Sequence, residues 1–268
     1  MNISDHVSWS IAGPIFHIRL ERPEKRNALT LEMMDAIAAA AVESDRHPEA
    51  RAILVSAEGP IFSAGIDLMA LMTAKSASGN TNPARFSRRL AERLQNSLNV
   101  LESTELPVIG ALHGQVLGMG LETALAFDLR VAADDCVFRF PEVALGLVAD
   151  VGGTTRLSRT VGPSRAKDML MTGRALEAQE ALEWGLVNRV APEAKVLATA
   201  EALCFQIAEN APLAVGLSKR IIDQGDGLDK ASQMAIERWA QSQLLSSEDV
   251  GEAVSAFFEK RKPEFKGR

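Results

Sequence analysis

The sequence is poor in the features that mark several large protein classes. Only two of its 268 residues are cysteine, Cys136 and Cys204. They stand far apart and form no C-x-x-C pair, which leads to the expectation of two buried free thiols in a reducing compartment rather than a disulfide framework. No apolar run approaches the ~20 residues needed to span a bilayer. The opening MNISDHVSWSIAG has neither a basic n-region nor an apolar h-region, and the closing FKGR is no peroxisomal address. These absences lead us to expect a soluble, cytoplasmic chain with no membrane partner. An excess of positive charge is missing as well: 29 Lys and Arg stand against 35 Asp and Glu, a net charge of −6. That argues against nucleic acid as a partner, although a local cluster of Lys and Arg can still serve an anionic small ligand.

Several chemical signatures are also absent. There is no G-x-x-x-x-G-K-[ST], no G-x-S-x-G elbow and no zinc-ligand spacing. Gly118-Met119-Gly120 forms half of a dinucleotide fingerprint, but Leu121, Glu122 and Thr123 follow where the third glycine belongs. The histidines, His6, His17, His47 and His113, are scattered. His113 falls at a strand end and is read as structural. No metal site and no separate cofactor are expected.

What remains is an ordinary globular composition. Hydrophobic residues make up 47% and charged residues 24%, with no low-complexity tract. VSWSIAGPIFHIRL (7–20) reads as two strands joined at Gly13-Pro14. Thr30 is a plausible N-cap for an amphipathic helix carrying Leu31, Met34, Ile37 and Ala41. AILVSA (52–57), PVIGAL (107–112), LRVAA (129–133), CVFRF (136–140) and LVNRV (186–190) read as strands. The polar stretch 73–83 reads as a mobile loop. Phe86, Leu90, Leu94, Leu98 and Leu101 then mark a long helix. Strands alternate with helices through the first two thirds, and the rest is helical. The expectation is an α/β core with parallel strands over residues 1–195, followed by a helical region over 196–268.

Three segments carry the chemistry: FSAGIDL (62–68), HGQVLGMGLE (113–122) and FPEVALGLVADVGGTTRL (140–157). The first two read as strand ends breaking into small residues and then a helix. Such junctions aim unpaired N–H groups outward with a helix dipole behind them. The third places Glu142 and Asp150 inside an otherwise apolar stretch, and Glu122 closes the second. For Asp150 a plain helix N-cap before GGTTRL is the competing reading.

In order along the chain, ERPEKRNALT, SAGIDL, GMGLETALAFDLRVA, PEVALGL, GGTTRLSRTVG, MTGRALEAQEALEWGLVNRV and AFFEKRKPEF resemble the crotonase family, also called the enoyl-CoA hydratase/isomerase superfamily. The resemblance covers nearly the whole chain. It implies a spiral core of ββα units with a C-terminal helical region, and an acyl-CoA thioester as substrate, CoA being part of that substrate. It implies that the thioester oxygen is held by two backbone amides, matched here to Ala64 and Met119, where methionine replaces the usual glycine. Glu142 matches the glutamate that faces the carbons beside the thioester, and Glu122 the second glutamate of hydratases. Together these can hold a water and add it across a double bond. Asp150 and GLVADVGGTTRL look like the Δ3,5,Δ2,4-dienoyl-CoA isomerase branch. There Glu142 would take a proton from carbon-2 and Asp150 would deliver one at carbon-6. Glu122 departs from that branch, which usually has aspartate at this position. The expectation is dienoyl-CoA isomerisation, with hydration of a 2-enoyl-CoA by Glu122 and Glu142 as the alternative.

The resemblance also places CoA near Arg22, Lys25, Arg26 and Ala28, the thioester near Ser63, Gly65, Ile66, Asp67 and Gly118, and the closing segment at Phe257, Lys260 and Lys262. By the same analogy the chain forms a homo-oligomer, a trimer or a dimer of trimers. A catalytically inert relative should lack the acids, and three are present. The broken glycine fingerprint argues against a dinucleotide oxidoreductase.

Overall fold

The computed structural model describes residues 2–79 and 82–268. In chain order the strands are β1 (Asn2–Ser4), β2 (Val7–Ala12), β3 (Ile15–Leu20), β4 (Ala52–Ala57), β5 (Val108–Leu112), β6 (Gln115–Leu117), β7 (Leu129–Ala133), β8 (Val137–Arg139), β9 (Ala175–Glu177) and β10 (Arg189–Ala191). The helices are α1 (Leu31–Ser44), α2 (Leu68–Ala77), α3 (Pro83–Ser103), α4 (Met119–Leu125), α5 (Gly153–Val161), α6 (Pro163–Thr172), α7 (Ala178–Trp184), α8 (Val196–Ala208), α9 (Pro212–Gly225), α10 (Lys230–Leu244) and α11 (Glu248–Glu259).

The larger sheet runs β1-β2-β3-β4-β5-β7-β10. β2 and β3 form the antiparallel hairpin around Gly13, and β3, β4, β5, β7 and β10 pair in parallel. β4 and β5 are buried almost throughout, which is why they read as continuous apolar runs rather than alternating ones. The smaller sheet runs β6-β8-β9. α8 packs against β4, β5 and β7, and α1 packs against α3 and the β1–β3 edge.

Local chemistry sets the helix starts. Thr30 Oγ1 accepts from the Met33 amide at 3.2 Å, the cap expected for α1, and Leu31, Met34, Ile37 and Ala41 are buried. Both cysteines are free and buried, and burial pushes the Cys204 thiol up to about 12. Among the described residues, no helix is long and apolar enough to cross a membrane.

Three sequence expectations change. The polar stretch 73–83 is not wholly a loop, because α2 runs on to Ala77 and α3 begins at Pro83; residues 80 and 81 lie outside the described residues. The α2 start is fixed by Asp67, whose Oδ1 accepts from the amides of Met69 and Ala70. The strand expected at 186–190 sits later, at β10, since Leu186 and Val187 are taken by the end of α7. The stretch after residue 152 also holds β9, a three-residue strand too short to show a period.

Candidate active site

A cavity of about 560 Å³ opens where α2, α3, α4 and the 142–151 segment meet. Ile66, Met119, Glu122, Glu142 and Asp150 all line it. Its apolar wall comes from Leu68 and Leu71 of α2 and Phe86, Leu90 and Leu94 of α3. Phe86, Leu90 and Leu94 recur every four residues, so one stripe of α3 faces the cavity.

The strand–helix junctions are tight for reasons visible in the backbone. Gly65 has φ +94°, and a Cβ there would lie 2.9 Å from the Leu117 carbonyl oxygen and 3.4 Å from the Met119 nitrogen. Only glycine lets the two turns approach this closely. Gly118 has φ +48°, and a Cβ there would meet Glu142 Oε1 at 2.6 Å. Ser63 is fully buried; its Oγ donates to the Asn27 carbonyl at 2.8 Å and accepts from the Gly65 amide at 3.1 Å. Ser63 thus shapes the turn.

The donor expected at Ala64 is corrected. The Ala64 amide donates to the Arg26 carbonyl at 2.9 Å, so it is engaged within the fold. Its neighbour Ile66 lines the cavity instead, and among the described residues neither its amide nor that of Met119 donates to another backbone group. Met119 opens α4, where the first N–H groups lack intrahelical partners.

The acids differ in environment. Glu122 is 2% exposed on α4, and its Oε1 accepts from the Val151 and Gly153 amides at 2.8 and 2.9 Å. Burial raises its pKa to about 7 against the pull of those two amides, and the charges of Glu142 and Asp150 add to the rise. Glu142 stands in the 3₁₀ turn Glu142–Leu145, and its Oε2 is buried without a hydrogen-bond partner. Burial raises its pKa, with Asp150 contributing. Asp150 is exposed along the cavity, and its pKa is also raised by burial. It is not the helix cap: Gly152 occupies that position before α5, with no side-chain cap bond.

The remaining expected residues divide. Arg22 Nη1 donates to Asp67 Oδ2 at 2.7 Å and to the Ala28 carbonyl at 2.9 Å, so both Arg22 and Asp67 are tied into the turn that starts α2. The amides of Ala70 and Met69 and the guanidinium of Arg22 hold the Asp67 carboxyl below the usual range. Lys25 and Arg26 are exposed and, among the described residues, make no ion pair. Phe257 is 79% exposed on α11, Lys260 caps that helix with φ +55°, and Lys262 pairs with Glu209; none of the three lines the cavity. His113 Nε2 bonds the Gly59 carbonyl at 2.9 Å, a structural role.

Sequence reasoning missed Asn27, which is fully buried. Its amide group donates to the carbonyls of Glu58 and Ile61, and its Oδ1 accepts from the Arg22 amide. It also missed Arg156, Gln95 and the two amides on Glu122. An asparagine in a charged loop was the available signal for the first, since asparagine tolerates the left-handed backbone that Asn27 adopts at φ +48°.

A two-sheet α/β core with a glycine-tight double turn and carboxylates around one apolar cavity defines an enzyme of the crotonase fold. A family model described as enoyl-CoA hydratase/isomerase matches residues 10–268, and the chain belongs to that family of acyl-CoA enzymes. It is 36% identical to a carnitinyl-CoA dehydratase of Salmonella typhi, over 99% of this chain and 100% of that one. It is 35% identical to the Arabidopsis thaliana protein named "Probable enoyl-CoA hydratase 2, mitochondrial", over 98% of this chain and 85% of that one. Among solved structures, an enoyl-CoA hydratase from Bacillus anthracis superposes with a TM-score of 0.90 at 32% identity, covering 98% and 100% of the two chains.

Proposed function

We propose that this enzyme adds water to, or removes it from, the carbon–carbon double bond beside a CoA thioester, using Glu122 and Glu142. The observation that carries this reading is the pair itself. Glu142 presents a buried oxygen with no partner, and Glu122 lines the same cavity with Oε1 fixed by two amides. Two carboxyls that face one cavity, each with its pKa raised by burial, can share one proton between them. Ionised Glu122, stabilised by the amides, takes a proton from water as its oxygen bonds to carbon-3. Protonated Glu142 gives its proton to carbon-2. One water O–H bond and the carbon–carbon π bond break, one C–O and one C–H bond form, and the proton left on Glu122 returns to Glu142 before the next turnover, so the net change is addition of water. The negative charge that collects on the thioester oxygen meets the amides of Ile66 and Met119. The names of the relatives reported above, hydratase and dehydratase, support this direction over the isomerase expectation.

Dienoyl-CoA isomerisation stands second, favoured by one observation: Asp150 lines the same cavity as Glu142. There Glu142 would remove the carbon-2 proton and Asp150 would supply one at carbon-6, with no net change in atoms. The exposed basic side chains of Lys25 and Arg26 support a site for the CoA phosphates. Exposed Trp239, Phe257 and Phe258 on α10 and α11 support a homo-oligomer, a trimer or a dimer of trimers. The test offers purified protein a 2-enoyl-CoA and a 3,5-dienoyl-CoA side by side. Loss of the conjugated-thioester absorbance with the first and none of the 2,4-dienoyl product with the second is expected. Isomerisation alone would reverse the order of the two readings.

A further inference from the structure

α3 has two working faces. Phe86, Leu90 and Leu94 form the cavity wall, while Gln95, Asn99 and Glu102 follow at helical spacing on a neighbouring stripe, Gln95 reaching the segment that carries the acids and the other two reaching Arg156. Gln95 Nε2 donates to the Asp150 carbonyl at 2.6 Å. Arg156 of α5 is 9% exposed and binds both sides. Its Nε and Nη2 donate to Glu102 Oε1 and Oε2, each at 2.7 Å, and Nη2 also donates to Asn99 Oδ1 at 2.8 Å. Its Nη1 donates to the Val151 carbonyl at 3.0 Å. The fit is close: a Cβ on Gly152, which has φ +99°, would sit 1.9 Å from that Nη1. The segment so gripped supplies both amides that hold Glu122, from Val151 and Gly153, and the Asp150 side chain between Ala149 and Val151.

We propose that Arg156 is a positioning residue: through its bidentate pair with Glu102, and with Gln95 beside it, it clamps residues 150–153 to the acyl-binding helix and so sets where the Glu122 and Asp150 carboxylates stand relative to the substrate. This rests on the reading that these acids act on an acyl-CoA thioester. The clamp makes the cavity wall and the acids one mechanical unit. A bidentate arginine suits this use because its planar fork fixes direction as well as distance.

The test compares Arg156→Gln, Arg156→Lys and Gln95→Ala with wild type, on whichever of 2-enoyl-CoA and 3,5-dienoyl-CoA the wild type converts. Arg156→Gln is expected to lower kcat about a hundredfold, since an ångström-scale misplacement of a reacting group costs that much. KM should change little. The acid limb of the pH–rate profile should move to higher pH, because Glu122 loses amides that oppose its burial while Glu142 and Asp150 still face it. Hydrogen exchange at the Val151 and Gly153 amides should accelerate. Arg156→Lys should restore part of the activity, and Gln95→Ala should cause a smaller loss of the same kind. Should Arg156→Gln fail to fold, Gln95→Ala and Glu102→Gln carry the same readouts. Folded variants with wild-type kcat and pH profile, or with lowered kcat but unchanged exchange at Val151 and Gly153, overturn the proposal. A wild type inactive on both thioesters retires the reading of function instead, and the clamp then stands or falls on the amide exchange alone.

Discussion

The Gly153 amide donates to Glu122 Oε1 at 2.9 Å, and a Cβ on Gly153 would lie 2.8 Å from that same oxygen and 2.6 Å from the Ala149 Cβ. The Glu122 carboxylate and the start of α5 are therefore fitted to each other without spare room. Gly153→Ala is expected to fold, since Gly153 does not have positive φ, but to push Glu122 from its amides. Turnover should fall about a hundredfold with KM nearly unchanged. Steady-state kinetics on the enoyl thioester check this, and wild-type kcat would show that the contact relaxes freely.

Gly118 sits in the same relation to the other acid. Its φ of +48° and the 2.6 Å approach of Glu142 Oε1 leave no place for a side chain. Gly118→Ala should both strain the turn before Met119 and displace Glu142. The expected loss in kcat exceeds that of Gly153→Ala, because an acid and an amide donor move together. Glu142→Gln, which keeps shape and removes the proton, should abolish carbon-2 exchange of a bound acyl-CoA in deuterated buffer.

Burial of Glu122 ties activity to stability. Its folded pKa of about 7 lies above the usual carboxylate value. The folded state therefore holds the proton more tightly than the unfolded chain does. That contribution to stability is full below the unfolded pKa and is lost as pH rises from there through about 7. It amounts to about 3 kcal/mol across the window. Glu122→Gln keeps an acceptor oxygen for the two amides and carries no charge to bury. The variant should be inactive in hydration yet melt higher than wild type at pH 8, with the gap closing toward pH 5. Calorimetry at the two pH values decides it, and equal melting temperatures throughout would show that the cavity hydrates the ionised acid fully.

Much of the site was legible in the chain because its chemistry sits in short contiguous runs. Met119 and Ile66 stand next to glycines, Glu122 and Asp150 two residues from one, and Glu142 in the apolar run that ends at Gly146, and the fold brings all five to one cavity. The parallel strands were legible for the same reason: β4 and β5 are buried on both faces and leave an unbroken apolar signal. The Ala64 assignment failed because a sequence shows which turn carries an amide, not which amide the turn has already paired. Arg156 was hidden differently. Its partners Asn99 and Glu102 lie 57 and 54 residues away, on a helix that local pattern can place but cannot orient. β9 and the true extent of α2 were missed because three residues, or the small and polar TAKSA that ends α2, show no decisive period.

The corrected donor can be tested at single-atom level. Replacing the Ile66 residue by its α-hydroxy acid turns one amide into an ester, which removes the N–H and weakens the Gly65 carbonyl that accepts from the Leu29 amide. If Ile66 and Met119 hold the thioester oxygen, this costs about 2.7–4 kcal/mol of transition-state stabilisation, read as a fall in kcat. The same exchange at Ala64 removes a bond to the Arg26 carbonyl. It should lower the melting temperature and leave kcat near wild type. The reverse pattern would return the role to Ala64.

The charged loop at 21–27 yields a prediction that separates recognition from architecture. Arg22 is half of an ion pair with Asp67, with both side chains largely buried and Asp67 also capping α2. Arg22→Met leaves the Asp67 carboxylate without its cation at a turn that ends one residue before α2. It should destabilise the fold and raise KM for every thioester alike, because Leu68 and Leu71 of α2 line the cavity. Lys25 and Arg26 make no such pair, and their side chains reach water. Lys25→Ala with Arg26→Ala should leave the melting temperature unchanged and raise KM for an enoyl-CoA. It should not raise KM for the same acyl group on pantetheine, which lacks the nucleotide phosphates. The CoA effect should also shrink as salt is added, since exposed charges are screened within about 10 Å at 0.1 M ionic strength. Equal KM changes for both thioesters would mean that the loop acts through its shape rather than its charge.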